Sequence, residues 1–215
     1  MTPPTGAPSP DDVDRQSLGG FLGQLAARLA APGAGATAGI EAALAASLVA
    51  MVGRFTTDEE HAGVVGEIVA EADRQRDACL AAAADDEAAF SAVAAAMKLP
   101  RGSDEEKEAR RQALGAAQLD AARPPRTIID IAVVLTSLAE RILPLANRNL
   151  ISDVAAATAA ARAAASTARL AVETNLAGID DDGARDELTK AVTVVDELAG
   201  RADAVEAEVR RLIAG

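Results

Sequence analysis

The chain has 215 residues, enough for one domain with a sizeable core. Half of them are hydrophobic, mostly alanine, with no Trp, no Tyr and three Phe, so packing must come from close backbone approach rather than from aromatic layers. The net charge of −12 argues against a nucleic-acid partner, whose phosphates call for Lys and Arg, and no basic amphipathic helix points to a membrane surface.

In chain order, residues 1–16 are Pro-rich and polar. They lack the basic start and apolar core of a signal peptide, so a disordered tail and a cytoplasmic location are expected. Residues 17–215 then read as one all-α domain, an antiparallel bundle of about six or seven helices. Ser17 opens the first, with Leu18, Phe21, Leu22, Leu25 and Leu29 on one face. The Pro32-Gly33-Ala34-Gly35-Ala36 stretch ends it. Thr37 to Phe55 is the most apolar segment. Glu41 in its middle and Arg54 at its end argue against a membrane span. Small residues four apart, Gly39, Ala43 and Ser47 on one ridge and Ala42, Ala46 and Ala50 on the next, predict a buried, closely packed helix suited to a subunit interface.

A long helix is expected from His61 to Leu99, and a shorter one from Asp104 to about Ala121. Arg123-Pro124-Pro125 reads as a break, followed by an apolar helix from Thr127 to Leu145. Asn147 to Asp153 reads as a loop with Ser152 as helix cap. An alanine-rich helix to Leu176, an acidic turn at residues 178–183 and an amphipathic helix from Ala184 to Ile213 complete the chain.

The richest stretch is Asp85 to Arg111. Phe90, Val93, Ala94 and Met97 share a helix face. Leu99-Pro100-Arg101-Gly102 stops that helix, and Ser103 with Glu106 forms a capping box for the next. Asp86 lies one turn before Phe90, and Lys98 and Arg101 sit at the break, so a carboxylate and two cations gather at one helix–turn–helix. Elsewhere, Cys79 reads as a small buried hydrophobe, and the lone His61 has no second histidine with which to hold a metal. No P-loop, dinucleotide fingerprint or nucleophile elbow is present.

This stretch resembles the cyclodeaminase/cyclohydrolase family: Asp86-x-x-Ala89-Phe90, then Met97-Lys98-Leu99-Pro100-Arg101, then Glu105-Glu106-Lys107 and Arg110-Arg111. Three more segments fit in order: the Pro32–Ala36 loop, Ala146-Asn147-Arg148-Asn149-Leu150-Ile151-Ser152-Asp153, and Asn175-Leu176. The resemblance implies a dimerising helical bundle. It also implies a tetrahydrofolate derivative as substrate, without a metal: hydrolysis of methenyl-tetrahydrofolate, or closure of formimino-tetrahydrofolate with loss of ammonia. By the same resemblance Asp86 is the catalytic acid/base. Pro32, Gly33, Gly35, Lys98, Arg101, Asn147, Asn149 and Asp153 are then substrate-binding. Three features depart from the family: Asp58-Glu59-Glu60-His61 replaces a basic run, Ala34 and Ala36 replace Gly and Ser in the loop, and Ala146 replaces Gly. They leave open a relative acting on another amidine, imine or cyclic substrate, or a catalytically silent helical dimer.

Overall fold

A computed structural model describes residues 17–215; the tail expected over residues 1–16 lies outside the described residues. Among these residues every regular element is helical: α1 (Leu18–Leu25), α2 (Ala34–Arg54), α3 (Ala62–Met97), α4 (Asp104–Ala121), α5 (Arg123–Ile142), α6 (Ile151–Leu176) and α7 (Asp182–Ala214), with 3-10 turns at Glu59–His61 and Arg148–Leu150.

α2 is the axis of the bundle. It packs on α3, α6 and α5, and its most apolar window is 61% buried. Its contact faces are built from Ala38, Ala42, Ala45, Ala46, Val49 and Val52, and α6 answers with Ala157, Ala161, Ala164, Ala165 and Ala168. Methyl-sized side chains leave little to interdigitate, so the helix axes come close. Bulk comes from α5, whose Ile128, Ile129, Leu135 and Ile142 are fully buried, and from Leu188, Val195 and Leu198 of α7. Arg201 of α7 reaches both carboxylate oxygens of Glu140 on α5 at 2.7 and 2.8 Å. This two-pronged pair fixes the register of the last helix.

Several boundaries differ from the sequence reading. α1 stops at Leu25 and buries only Phe21; Leu18, Leu22 and Leu29 are exposed. α2 starts at Ala34, so the glycine-rich stretch is the first turn of a helix and not merely a loop. Pro124 and Pro125 occupy the first turn of α5, where their missing N–H groups cost no helical bond. Asn147, not Ser152, caps the chain before α6, accepting from the Asn149 N–H at 3.0 Å. Ser47 is exposed and donates to its own helix at Ala43 O, leaving Gly39 and the alanines to make the seam. The capping box forms as read: Ser103 accepts from Glu106 N–H, and Glu106 accepts from Ser103 N–H.

Gly39 marks the tightest crossing of α2 and α3. A Cβ there would lie 2.8 Å from Ala83 Cβ and 2.9 Å from Cys79 O. Neither atom can swing away, because one is a methyl on the backbone and the other a carbonyl of α3. Gly39→Ala gains about 1 kcal/mol of helix propensity yet must push the helices apart. Overpacking costs about 1–3 kcal/mol, so the variant is expected to unfold at lower denaturant concentration than the parent. An unchanged or higher midpoint would refute the close crossing.

Candidate functional site

α3 is 36 residues long, about 54 Å, and one of its faces carries Asp86, Phe90, Val93 and Met97. These positions recur at helical spacing and line one wall of a cleft of about 290 Å³. The other walls are Ala30 to Gly35 before and within the first turn of α2, Gln118 and Ala121 of α4, and Ala171, Thr174 and Asn175 of α6. The volume lies near the lower bound of small-molecule pockets, about 300 Å³. Val93 is buried, whereas Phe90 and Met97 are about half exposed and form the apolar rim.

Asp86 is the acidic side chain in this lining. Its neighbour Asp85 points to a different groove, with Asp120 and Arg123, as a rotation of about 100° per residue demands. The Asp86 carboxylate sits against the N-terminus of α2. Gly33, the N-cap there, has no side chain to cap with. Asp86 supplies the missing acceptor from another helix, taking the Ala36 N–H. Gly35 makes room for it: a Cβ on Gly35 would lie 2.0 Å from Asp86 Oδ1 and 2.1 Å from its Cγ. Burial pushes the Asp86 carboxyl above its ordinary range, and the Ala36 N–H pulls it only part of the way back. Phe21 packs with Ala36 and Ala83 in a small cluster of its own, and these two alanines flank Asp86 on α2 and α3. The short helix α1 thus helps to keep water from the back of the carboxylate.

The predicted site residues separate into three groups. Gly33 and Gly35 line the cleft with Asp86, and buried Pro32 joins Ala31 to Gly33 behind the wall. Lys98 and Arg101 are exposed just past Met97, outside the cleft lining, and make no ion pair among the described residues. Asn147, Asn149 and Asp153 lie at the opposite end of α6, and one chain does not bring them to Asp86. Twenty-two residues separate Asp153 from Asn175, about 33 Å of helix. Asn147 is used there as a cap. The acidic run at 58–61 follows the far end of α2, about 30 Å from Gly35, so its reversed charge does not face this cleft. Of the loop substitutions, Ala34 borders the cleft and Ala36 needs only its N–H, while the glycine on which Asp86 depends is retained. Gln118 and Thr174 were not singled out by the sequence. Periodicity gives a helix face, but not which faces of α4 and α6 meet α3.

A helical bundle with one half-buried carboxylate at a helix N-terminus, walled by apolar side chains, offers a cleft of a size and polarity suited to a small organic molecule. A model of the formiminotransferase-cyclodeaminase family matches residues 17–194. The chain belongs to this family. It is 36% identical over 107 residues to a methenyltetrahydrofolate cyclohydrolase of Methylorubrum extorquens, a match covering 50% of this chain and 51% of that protein, so it spans about half the length of that curated relative. It also superposes on the crystal structure of formiminotetrahydrofolate cyclodeaminase from Thermotoga maritima, with a TM-score of 0.78 and 26% sequence identity, covering 94% of this chain and 98% of that one.

Folding raises the proton affinity of Asp86, so the carboxylate destabilises the folded chain once the pH exceeds the range of an unfolded Asp, about 3.9. Stability is lost as pH climbs from there through the raised folded value. Asp86→Asn keeps an acceptor for the Ala36 N–H without the buried charge. It is expected to melt higher than the parent at pH 7, with the gap closing toward pH 4. A variant that melts lower at pH 7 would show that the ionised carboxylate is stabilising where it sits.

Proposed function

We propose that this protein is a folate-dependent one-carbon enzyme, hydrolysing 5,10-methenyltetrahydrofolate or cyclising 5-formiminotetrahydrofolate with loss of ammonia. The observation that carries the reading is the Asp86 carboxylate, set at an apolar cleft with its proton affinity raised by burial. Family membership and the printed activities of the two relatives support the choice of substrate.

Both reactions pass through a tetrahedral carbon between two nitrogens, and both need a proton moved from one heteroatom to another. In the hydrolysis, water attacks the amidinium carbon as Asp86 takes its proton. The same carboxyl then returns that proton to the departing ring nitrogen while the hydroxyl on the tetrahedral carbon loses its own proton to solvent, leaving the formyl group on the other nitrogen. In the cyclisation, the secondary amine attacks the carbon of the protonated formimino group. Asp86 removes the proton from that amine and delivers it to the nitrogen that leaves as ammonia. A carboxyl raised above its ordinary range suits this exchange better than an ordinary one, because it holds the proton more firmly between the two transfers. Its negative charge also faces the cationic amidinium across a dry wall, where the attraction is strong. Phe90 and Met97 offer apolar surface to the planar head of the substrate. Lys98 and Arg101, exposed just past Met97, are suited to the carboxylates of the glutamate tail.

The test is kinetic. Asp86→Asn is expected to lower kcat by about 10²–10⁴-fold, followed by absorbance of the methenyl compound and by ammonia release. Gly35→Ala should do the same while remaining folded, because its methyl would take the place of the carboxylate. Activity of Asp86→Asn within a few-fold of the parent would remove the carboxylate from the chemistry. In a second experiment, Lys98→Ala with Arg101→Ala should raise KM for polyglutamate substrate more than for monoglutamate. Equal effects on both would mean that the two cations do not meet the tail.

A further inference from the structure

Across the cleft from Asp86 stand two primary carboxamides, Gln118 of α4 and Asn175 of α6. Asn175 is held by the backbone. Its Nδ2 donates to Ala171 O at 3.0 Å and, across the helix crossing, to Ala121 O at 3.5 Å. Both amide hydrogens are engaged, so Oδ1 is left as an acceptor. Gln118 is in the opposite condition. It is half-buried, and its side chain forms no hydrogen bond among the described residues; its backbone carbonyl accepts from Ala122 N–H. Its carboxamide rests directly on Gly178 in the turn after α6. A Cβ on Gly178 would lie 1.6 Å from Gln118 Oε1, 2.4 Å from Cδ and 2.7 Å from Nε2. Gly115, one turn earlier on α4, also lets that turn approach: its Cβ would meet Gly178 O at 3.3 Å. No φ in the chain's described glycines is positive, so Gly178 is not needed for backbone conformation. What its missing Cβ provides is a seat for the Gln118 carboxamide.

A half-buried amide seated in one place, with donor and acceptor facing solvent and no protein partner, can exchange its water for the matching edge of a ligand. We infer that Gln118, seated on Gly178 and flanked by the Asn175 acceptor, reads the edge of a lactam-containing heterocycle whose reactive carbon faces Asp86. A lactam edge sets an N–H beside a C=O. A primary carboxamide matches it with two antiparallel hydrogen bonds, its oxygen accepting from the ring N–H and its nitrogen donating to the ring oxygen. Asn175 Oδ1 then accepts from an amino group next to that edge. A 2-amino-4-oxo pyrimidine ring carries this pattern, so the inference rests on the folate reading and names the part of the substrate that these side chains hold.

Gln118 contacts a part of the substrate that does not change during the reaction. Its loss should therefore weaken ground state and transition state alike, raising KM and leaving kcat. Gln118→Met keeps length and shape without the hydrogen bonds. KM for the reduced folate is expected to rise about tenfold to a hundredfold, with kcat within a few-fold of the parent. Gly178→Ala should reproduce that split without touching the cleft itself, because the added methyl unseats the carboxamide. Its melting temperature checks that the bundle is intact. Asp86→Asn, by contrast, loses kcat. Unchanged KM in both variants, or a fall in kcat at constant KM, overturns the inference while leaving the folate reading in place. A parent protein that neither turns over reduced folates nor shifts its melting temperature in their presence overturns both.

Discussion

The account depends on one absent methyl group. Because Gly35 has no Cβ, the Asp86 carboxylate can lie against the first turn of α2 and accept the Ala36 N–H. The arrangement places a negative charge where a helix terminus favours it, but burial outweighs the Ala36 hydrogen bond. That imbalance raises the affinity of the carboxyl for a proton. An ordinary cap supplied by the N-cap residue would satisfy the helix without bringing a carboxylate to the cleft. Here the acceptor comes from α3, so the helix cap and the carboxylate of the cleft are one feature.

The alanine-rich composition serves the same end. A carboxylate on α3 can cap α2 only if the two helices run within a short distance of each other over several turns. Gly39 against Cys79 and Ala83 provides that approach two turns below Asp86. The alanines of α2 and α6 extend it to the opposite wall, where Asn175 and, through Gly178, Gln118 are placed. The largest buried side chains fall mostly on α5 and α7, where Ile129, Leu135 and Leu198 fill the core. The fold is thus tightest where function needs helix crossings and bulkiest where it needs only burial. Two glycines, Gly35 and Gly178, play matching parts on the two walls. Each leaves out a methyl so that a polar side chain from another helix can be held in its place.

Much of this was legible in the residues. The helices follow from apolar spacing, and the α3–α4 turn from Pro100, Gly102 and the Ser103–Glu106 box, all of which are local signals. Asp86, Phe90, Val93 and Met97 share a face for the same reason, and the glycine-rich stretch was recognised as part of the site. What the one-dimensional pattern missed was long-range. Gly35 and Gly178 look like turn residues in the sequence, yet their role is to accommodate side chains 51 and 60 positions away. Gln118 looks like one more solvated residue on a polar helix. Asn147, Asn149 and Asp153 show the converse: motif order associates them with the cleft, but within one chain the length of α6 sets them at its far end. Helix starts were displaced for a simpler reason. Gly and Pro were read as breakers, whereas a first turn tolerates both.

The most direct measurement is a ¹³C NMR titration of the Asp86 side-chain carboxyl in the parent protein and in Gly35→Ala. The account predicts a midpoint clearly above the usual aspartate value of about 3.9 in the parent. It predicts a return toward that value once the added methyl displaces the carboxylate into solvent. An ordinary midpoint in the parent, or an elevated one that Gly35→Ala leaves unchanged, would contradict the claim that this one missing Cβ makes the site.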